Sequence, residues 1–192
     1  MTSFGYTVGF VMVVLSRQQL FTETTITVVL PLLAQPSIGN FGRGARLWGV
    51  VLLANLVGTL FAASFCTYAP VLSPELRAEM IEVNRHLLGH PWFDMLFKAI
   101  AAGFLIAAMV WLLPGAESGQ FSVIVMTTYL ISAGGFMHII AGSMEAFMLV
   151  QNGVISAWPM ITDFLIPVLL GNIIGGTALF ALLAYAQVMK EI

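Results

Sequence analysis

Two long runs without a charged residue limit what this chain can fold into. Residues 47–72 and 164–186 are 26 and 23 residues long, and neither run contains an acidic or basic side chain. A transmembrane helix needs about 20 consecutive apolar residues. Only 8% of the whole chain is charged, against about 25% in soluble domains. The sequence therefore predicts an all-α membrane protein whose spans include these two runs.

The remaining apolar segments complete a single transmembrane domain over residues 1–192. We expect five spans, at about 4–34, 47–72, 91–113, 121–150 and 164–186. The first and fourth are interrupted by polar residues or glycines, so each is predicted to be a broken helix. Residues 39–46 are expected to form a loop. Residues 74–89 alternate apolar and charged side chains at helical spacing, which indicates an amphipathic surface helix. Its apolar row consists of Leu76, Met80, Val83 and Leu87.

Charge and cysteine content exclude several classes of function. The net charge is −2 and no basic run is present, so nucleic acid is not an expected partner. The lone Cys66 rules out an intramolecular disulfide or a thiolate metal cluster. The loops on one side carry Arg43, Arg46 and Lys190, and those on the other carry Arg77 and Arg85. This small excess favours a multi-pass protein whose termini-side loops face the cytoplasm.

An internal repeat relates the two broken spans. The sequences Leu-Leu-Ala-Asn-Leu-Val-Gly at 52–58 and Leu-Leu-Gly-Asn-Ile-Ile-Gly at 169–175 match at an offset of 117 residues. A broken span precedes each copy, as in transporters and channels whose site lies between two repeats. Three-helix halves would be related as an inverted repeat, but only five spans are present. We therefore expect a first helix to be missing, and an upstream apolar segment in the parent gene would test this.

A single histidine lies at the break of the fourth span. Gly134 and Gly135 precede His138 by a few residues, and a glycine pair inside an apolar span favours interruption of the helix. An ionisable side chain near membrane mid-depth is a functional-site hypothesis, because its burial in lipid is costly. The alternative is a neutral imidazole that a neighbouring helix satisfies.

The repeat predicts a partner for this histidine in the first break. At the offset of 117 residues, Leu20-Phe21-Thr22 aligns with 137–139. We expect Thr22 to lie opposite His138, with Leu20 and Phe21 as an apolar constriction. A hydroxyl donor, a titratable imidazole and apolar walls suit a small monovalent anion or its neutral acid.

Other polar residues are interpreted as structural. Asn55 and Asn172 are expected to hydrogen-bond the broken helix ends and so to support the site without lining it. Glu23 and Glu145 follow the two breaks and are expected to cap free N–H groups there. The glycines of both Asn-Gly segments are expected to allow close helix approach; they are Gly58, Gly175 and Gly176.

No arrangement of residues suggests catalysis or a cofactor. His86 and His90 have the i, i+4 spacing of two metal ligands, but no third ligand is evident. The spans contain no paired carboxylates. We therefore expect neither an enzyme nor a metal site nor a bound cofactor.

At these residues the sequence resembles the formate/nitrite transporter family, and is most similar to its YfdC-like bacterial inner-membrane branch. The resemblance covers nearly the whole chain. It rests on motifs that are specific in combination and order, namely Leu20-Phe21-Thr22, Asn55-Leu56-Val57-Gly58, Gly135-Phe136-x-His138-x-x-Ala141, and Ile166-Pro167-Val168 followed by Gly171-Asn172-Ile173-Ile174-Gly175-Gly176.

The resemblance implies an aquaporin-like fold of six spans in a bacterial inner membrane. It also implies a homopentamer with one pore per subunit. The family's pore threonine corresponds to Thr22, its central histidine to His138, and its constriction to Leu20 and Phe21. In the family the histidine is held to donate to the permeating anion, or to exchange a proton with it. Proton-coupled or pH-gated passage of formate or nitrite follows.

Three departures from the family pattern concern polar neighbours of the histidine. Met137 stands where the family usually has Asn or Glu, and Gly142 and Gly103 stand where it often has Asn. The vestibule lysine of better-known members is unmatched, and the nearest basic residues are Arg85 and His86. Two alternatives to the anion channel therefore stay open, a channel for small neutral solutes and a non-transporting assembly or regulatory protein.

Overall fold

The structure, a computed structural model, describes residues 2–188, and Lys190 of the orientation argument lies outside this range. Eight helices precede a long last one. They are α1 Thr2–Leu15, α2 Phe21–Thr27, α3 Val29–Ala34, α4 Ile38–Tyr68, α5 Pro74–Asn84, α6 Trp92–Leu112, α7 Gln120–Ala133 and α8 Ile139–Gln151. The last helix runs over Ala157–Gln187 and includes two π-helical segments, Met160–Leu165 and Ile174–Ala181.

Among the described residues, three helices are long and apolar enough to cross a membrane. They are Ile38–Tyr68, Trp92–Gly115 and Ala157–Gln187. The other apolar helices are short and occur in pairs around the two breaks, with α1 before α2 and α7 before α8. α1 packs against α7, and α4 packs against α8. The fold thus brings the two interrupted segments together.

The predicted loop at 39–46 is wrong, because these residues form the first turns of α4. The Ser37 hydroxyl accepts a hydrogen bond from the Asn40 N–H at 3.1 Å and caps the helix N-terminus. A Cβ added at Gly44 would lie 2.8 Å from Val28 Cγ1. This glycine therefore permits close approach to the chain between α2 and α3, which sequence alone does not distinguish from a loop glycine.

Small residues set the distance between α6 and the last helix. A Cβ added at Gly103 would lie 2.7 Å from the Cα atom of Asn172, and one added at Gly171 would lie 2.5 Å from Ala99 Cβ. A Cβ added at Gly175 would lie even closer to the backbone carbonyl of Ile100. Close approach is therefore confirmed for Gly175, whereas an added Cβ at Gly58 meets nothing within 4 Å in the described part of the chain.

The amphipathic segment forms α5 and a 3₁₀ turn at Arg85–Leu87. Ser73 caps α5 by accepting from the Leu76 N–H at 3.2 Å. The backbone N–H of Glu75 and then the Ser73 side chain lower the pKa of the Glu75 carboxyl by hydrogen bonding. The apolar row is only partly covered, since Leu87 is buried but Leu76 and Val83 are 46% and 51% exposed. α5 rests on α8 and leaves part of this row facing a cavity.

Candidate functional site

The structure brings His138 and Thr22 into contact. His138 Nε2 lies 2.8 Å from Thr22 Oγ1, and the two residues are 3% and 0% exposed. His138 is also the N-cap of α8, where its Nδ1 accepts from the Ala141 N–H at 3.3 Å. A neutral imidazole carries one proton. Because Nδ1 accepts, we assign that proton to Nε2, which donates to Thr22 and leaves the threonine O–H free to donate elsewhere.

Apolar side chains enclose this pair. The edge of the Phe10 ring packs against the His138 ring at a centroid distance of 5.0 Å. Leu20 and Phe21 are 6% and 1% exposed, and the Phe21 ring packs on Trp48 at 5.9 Å. Sequence reasoning did not single out Phe10, which is one apolar residue among many in α1.

Two asparagines hold the broken ends in the same way. Asn55 Oδ1 accepts from the Phe21 N–H at 2.9 Å, and its Nδ2 donates to the Gln19 carbonyl at 3.1 Å. Asn172 Oδ1 accepts from the Ile139 N–H at 2.8 Å, and its Nδ2 donates to the Met137 carbonyl at 2.9 Å. Each side chain thus bridges the first N–H of a half-helix and a carbonyl two residues earlier.

The preceding turns match as well. In the second break the Phe136 N–H bonds to the Ile131 carbonyl, and Gly135 has φ +61°, which is a Schellman motif. In the first break the Gln18 N–H bonds to the Val13 carbonyl, and Arg17 has φ +56°. Gly134 has a different role, because a Cβ there would lie 2.8 Å from the Phe136 ring.

This match corrects the sequence alignment of the breaks by one residue. Leu20 and His138 are both N-cap residues with extended backbone, at φ −108° and −114°. The offset across the breaks is therefore 118 residues, so His138 corresponds to Leu20 and Ile140 corresponds to Thr22. The contact between Thr22 and His138 joins non-equivalent positions.

The prediction that Glu23 and Glu145 cap free N–H groups at the breaks is wrong. The α2 N-cap is Leu20, which makes no side-chain cap, and Glu23 Oε1 is buried without a hydrogen-bond partner among the described residues. Glu145 lies in the second turn of α8, where its Oε2 is 3.8 Å from His86 Nε2. His90 contacts Lys98 instead, so His86 and His90 face different neighbours.

A cavity of about 690 Å³ lies beside the second break. Its walls come from α1, α5, α7 and α8, and His138 forms part of them. Gly142 is also in the wall, where a Cβ would lie 2.5 Å from the Phe164 ring. The ring thus occupies the space that a side chain at position 142 would need.

The family model for the formate/nitrite transporters matches residues 1–186. The chain belongs to the formate/nitrite transporter family. The resemblance drawn from the motifs is thereby confirmed, as is the prediction of a multi-pass membrane protein.

Similar relatives include a bacterial inner membrane protein and a formate channel. The chain is 43% identical over 187 residues to the inner membrane protein YfdC of Escherichia coli, covering 97% of this chain and 60% of YfdC. It is 27% identical over 199 residues to the formate channel FocA of Haemophilus influenzae, covering 89% of this chain and 68% of FocA. The chain therefore spans well under two thirds of YfdC.

A solved structure shares the fold. The chain matches a pentameric formate channel with formate bound at a TM-score of 0.83 and 21% identity, covering 98% of this chain and 82% of the other. The predicted all-α fold with two broken helices is confirmed at this level. The inverted relation between the two halves stays a prediction.

Proposed function

We propose that this protein conducts small monovalent anions such as formate or nitrite across a bacterial inner membrane, with Thr22 and His138 at the centre of the pore. The hydrogen bond between the buried Thr22 hydroxyl and His138 Nε2 carries the proposal. This bond links two groups at the meeting point of the two broken helices. One is a hydroxyl whose O–H can donate to a substrate, and the other is an imidazole that can gain or lose a proton.

The chemistry follows from the cost of moving a charge through an apolar wall. A neutral acid crosses such a wall far more easily than its anion does. Protonation of His138 at Nδ1 releases the Ala141 N–H. The imidazolium then transfers a proton to the anion, the neutral acid crosses, and the imidazole takes a new proton from solvent. Leu20 and Phe21 supply apolar surroundings, while Asn55 and Asn172 keep the half-helix ends in place. Passage is therefore coupled to protons or controlled by pH.

We also propose that the protein assembles as a homopentamer with one pore in each subunit. Family membership and the fold shared with a pentameric formate channel support this assembly. An apolar face of α4 also supports it, because Leu53, Val57 and Phe61 are 64%, 65% and 72% exposed. Lipid and neighbouring subunits are the surroundings that suit such a surface.

Uptake into proteoliposomes that contain the full-length protein tests the transport proposal. We expect formate and nitrite flux that rises as pH falls, and loss of most of it in His138→Ala. His90→Ala serves as a matched control, because the His90 side chain contacts Lys98 and makes no hydrogen bond to Thr22 or His138. Unchanged anion flux in His138→Ala would contradict the mechanism. Glycerol flux without anion flux would favour a neutral-solute channel, and no flux of any solute would favour a non-transporting protein.

A further inference from the structure

The cavity beside the second break is lined by acidic side chains but by no lysine or arginine among the described residues. Its walls include two carboxylates, Glu79 on α5 and Glu145 on α8, together with the imidazoles of His86 and His138. No lysine or arginine is among the described residues that line it. Arg85 is next to His86 in sequence, but its Nε pairs with Glu82 Oε2 at 3.0 Å. The wall therefore contains two carboxyl groups and no permanent cation among the described residues.

Glu145 lines the same cavity as His138. Seven residues separate them on α8, which is nearly two helical turns, so both side chains are on one face of the helix about 10 Å apart. The Glu145 side chain is 26% exposed, and its Oε2 faces His86 Nε2 at 3.8 Å. An anion that enters the cavity beside His138 is therefore also close to the Glu145 carboxyl group.

Polar groups from α1 and α5 also line the cavity with Glu145. From α1, the Tyr6 hydroxyl lines the cavity and is buried without a hydrogen-bond partner among the described residues. A phenol stays neutral over the physiological pH range. From α5 come the exposed Glu79 and the buried amide of Asn84. His86 is thus the imidazole nearest to Glu145, with Nε2 at 3.8 Å from Oε2.

We infer that Glu145 and His86 form a charge filter in this cavity, which selects the form of substrate that reaches His138. With His86 neutral, the Glu145 carboxylate repels anions and admits the neutral form of a weak acid. When His86 gains a proton, the pair becomes neutral overall and the barrier to anions falls. The inference deepens the proposed function by making weak acids, whose neutral form exists in solution, the preferred substrates.

The rate at which charged reagents modify a cysteine in the cavity reports the electrostatic potential there, and this measurement does not require transport. Ser132 lines the cavity, and Ser132→Cys changes a single atom. In full-length protein that also carries Cys66→Ala, the rates of modification by an anionic and a cationic methanethiosulfonate reagent are compared at about pH 8 and about pH 5.5, on either side of the usual histidine titration.

The expected result is a shift in the ratio of the anionic to the cationic rate. Glu145→Gln should raise this ratio about three- to tenfold at the higher pH, the effect of removing one nearby charge in a partly solvated site. Acidification should raise it by a similar factor in the protein with Glu145 intact, and by less in His86→Gln. Glu82→Gln is the control, because Glu82 pairs with Arg85 and does not line the cavity, and it should leave the ratio unchanged.

The outcomes separate the filter from the proposed transport. An unchanged ratio in Glu145→Gln would overturn the filter, whatever the flux. An unchanged acid response in His86→Gln would overturn the role of His86. A shifted ratio in a protein that shows no anion flux would support the filter and count against the proposed function alone.

Discussion

At the scale of single residues, the contact between Thr22 and His138 depends on one hydroxyl. Both side chains are buried, and Nδ1 of the imidazole is already engaged by the Ala141 N–H. The Nε2 proton therefore has Thr22 Oγ1 as its partner in the described part of the chain. Removing that oxygen leaves a buried donor unsatisfied.

We predict that Thr22→Val lowers the free energy of unfolding by about 1–3 kcal/mol, because it preserves shape but removes the acceptor for Nε2. It should also reduce anion flux. Thr22→Ser keeps the oxygen and should stay close to wild type in both respects. Thermal unfolding in detergent and proteoliposome uptake are the measurements. Equal behaviour of the valine and serine variants would contradict the role of the hydroxyl.

The two asparagines should differ in how much they stabilise the protein. Asn172 is fully buried and bonds to Ile139, Met137 and the Ala99 carbonyl, whereas Asn55 is partly exposed and makes two bonds. We predict a loss of about 3–5 kcal/mol for Asn172→Leu and about 1–3 kcal/mol for Asn55→Leu. Denaturation of both variants measures the difference, and a larger loss at Asn55 would refute this ranking.

At the scale of helices, the two breaks share one backbone design with different residues. The left-handed position is Gly135 in the second break and Arg17 in the first. Left-handed backbone is strained for every residue that has a Cβ atom. A Cβ at Gly135 would meet nothing within 4 Å, so a substitution there tests the backbone alone.

Substitutions at these two positions should change the free energy of unfolding in opposite directions. Gly135→Ala should destabilise the protein by about 1–2 kcal/mol, because alanine must adopt the left-handed conformation. Arg17→Gly should stabilise it by up to about 1 kcal/mol, since relief of strain exceeds the entropy gained by the unfolded chain. Thermal unfolding of both variants is the measurement. Stabilisation by Gly135→Ala would contradict the turn geometry.

The contact between α6 and the last helix should tolerate no added side chain. Gly103→Ala places a methyl group against the backbone of Asn172, so we predict a loss of about 1–3 kcal/mol from forced helix separation. Gly9→Ala in α1 is the control, because its Cβ would meet nothing within 4 Å. The unfolding temperatures of both variants test this prediction. If Gly103→Ala were as stable as Gly9→Ala, the two helices could separate without loss of stability.

At the scale of the whole molecule, a single chain leaves a large apolar surface uncovered. The exposed face of α4 extends from Phe41, at 64% exposure, to Tyr68, at 71%. We predict that native mass spectrometry of the full-length protein, released from detergent, gives a pentamer. Phe61→Arg, on the exposed apolar face of α4, should shift the protein towards smaller species if this face lies between subunits. A monomeric wild type would refute the assembly.

Much of the fold followed from local sequence properties. Charge-free runs predict spans, because lipid excludes charge and unpaired backbone groups. The Gly134–Gly135 pair and the polar residues after Leu15 predict the two breaks, which both occur. The glycines of 39–46 were misleading, because a glycine that admits a neighbouring chain has the same local pattern as one that forms a loop.

The sequence by itself determined the membrane class, the broken helices, the repeat, and the position of His138 at the second break, since these depend on composition and on spacing along the chain. Only the tertiary structure decided which atoms meet. It placed Phe10 against the imidazole, paired Glu145 with His86, and shifted the alignment of the breaks to an offset of 118. The physical reason is that such contacts depend on packing distances between helices far apart in sequence, and no local pattern encodes those distances.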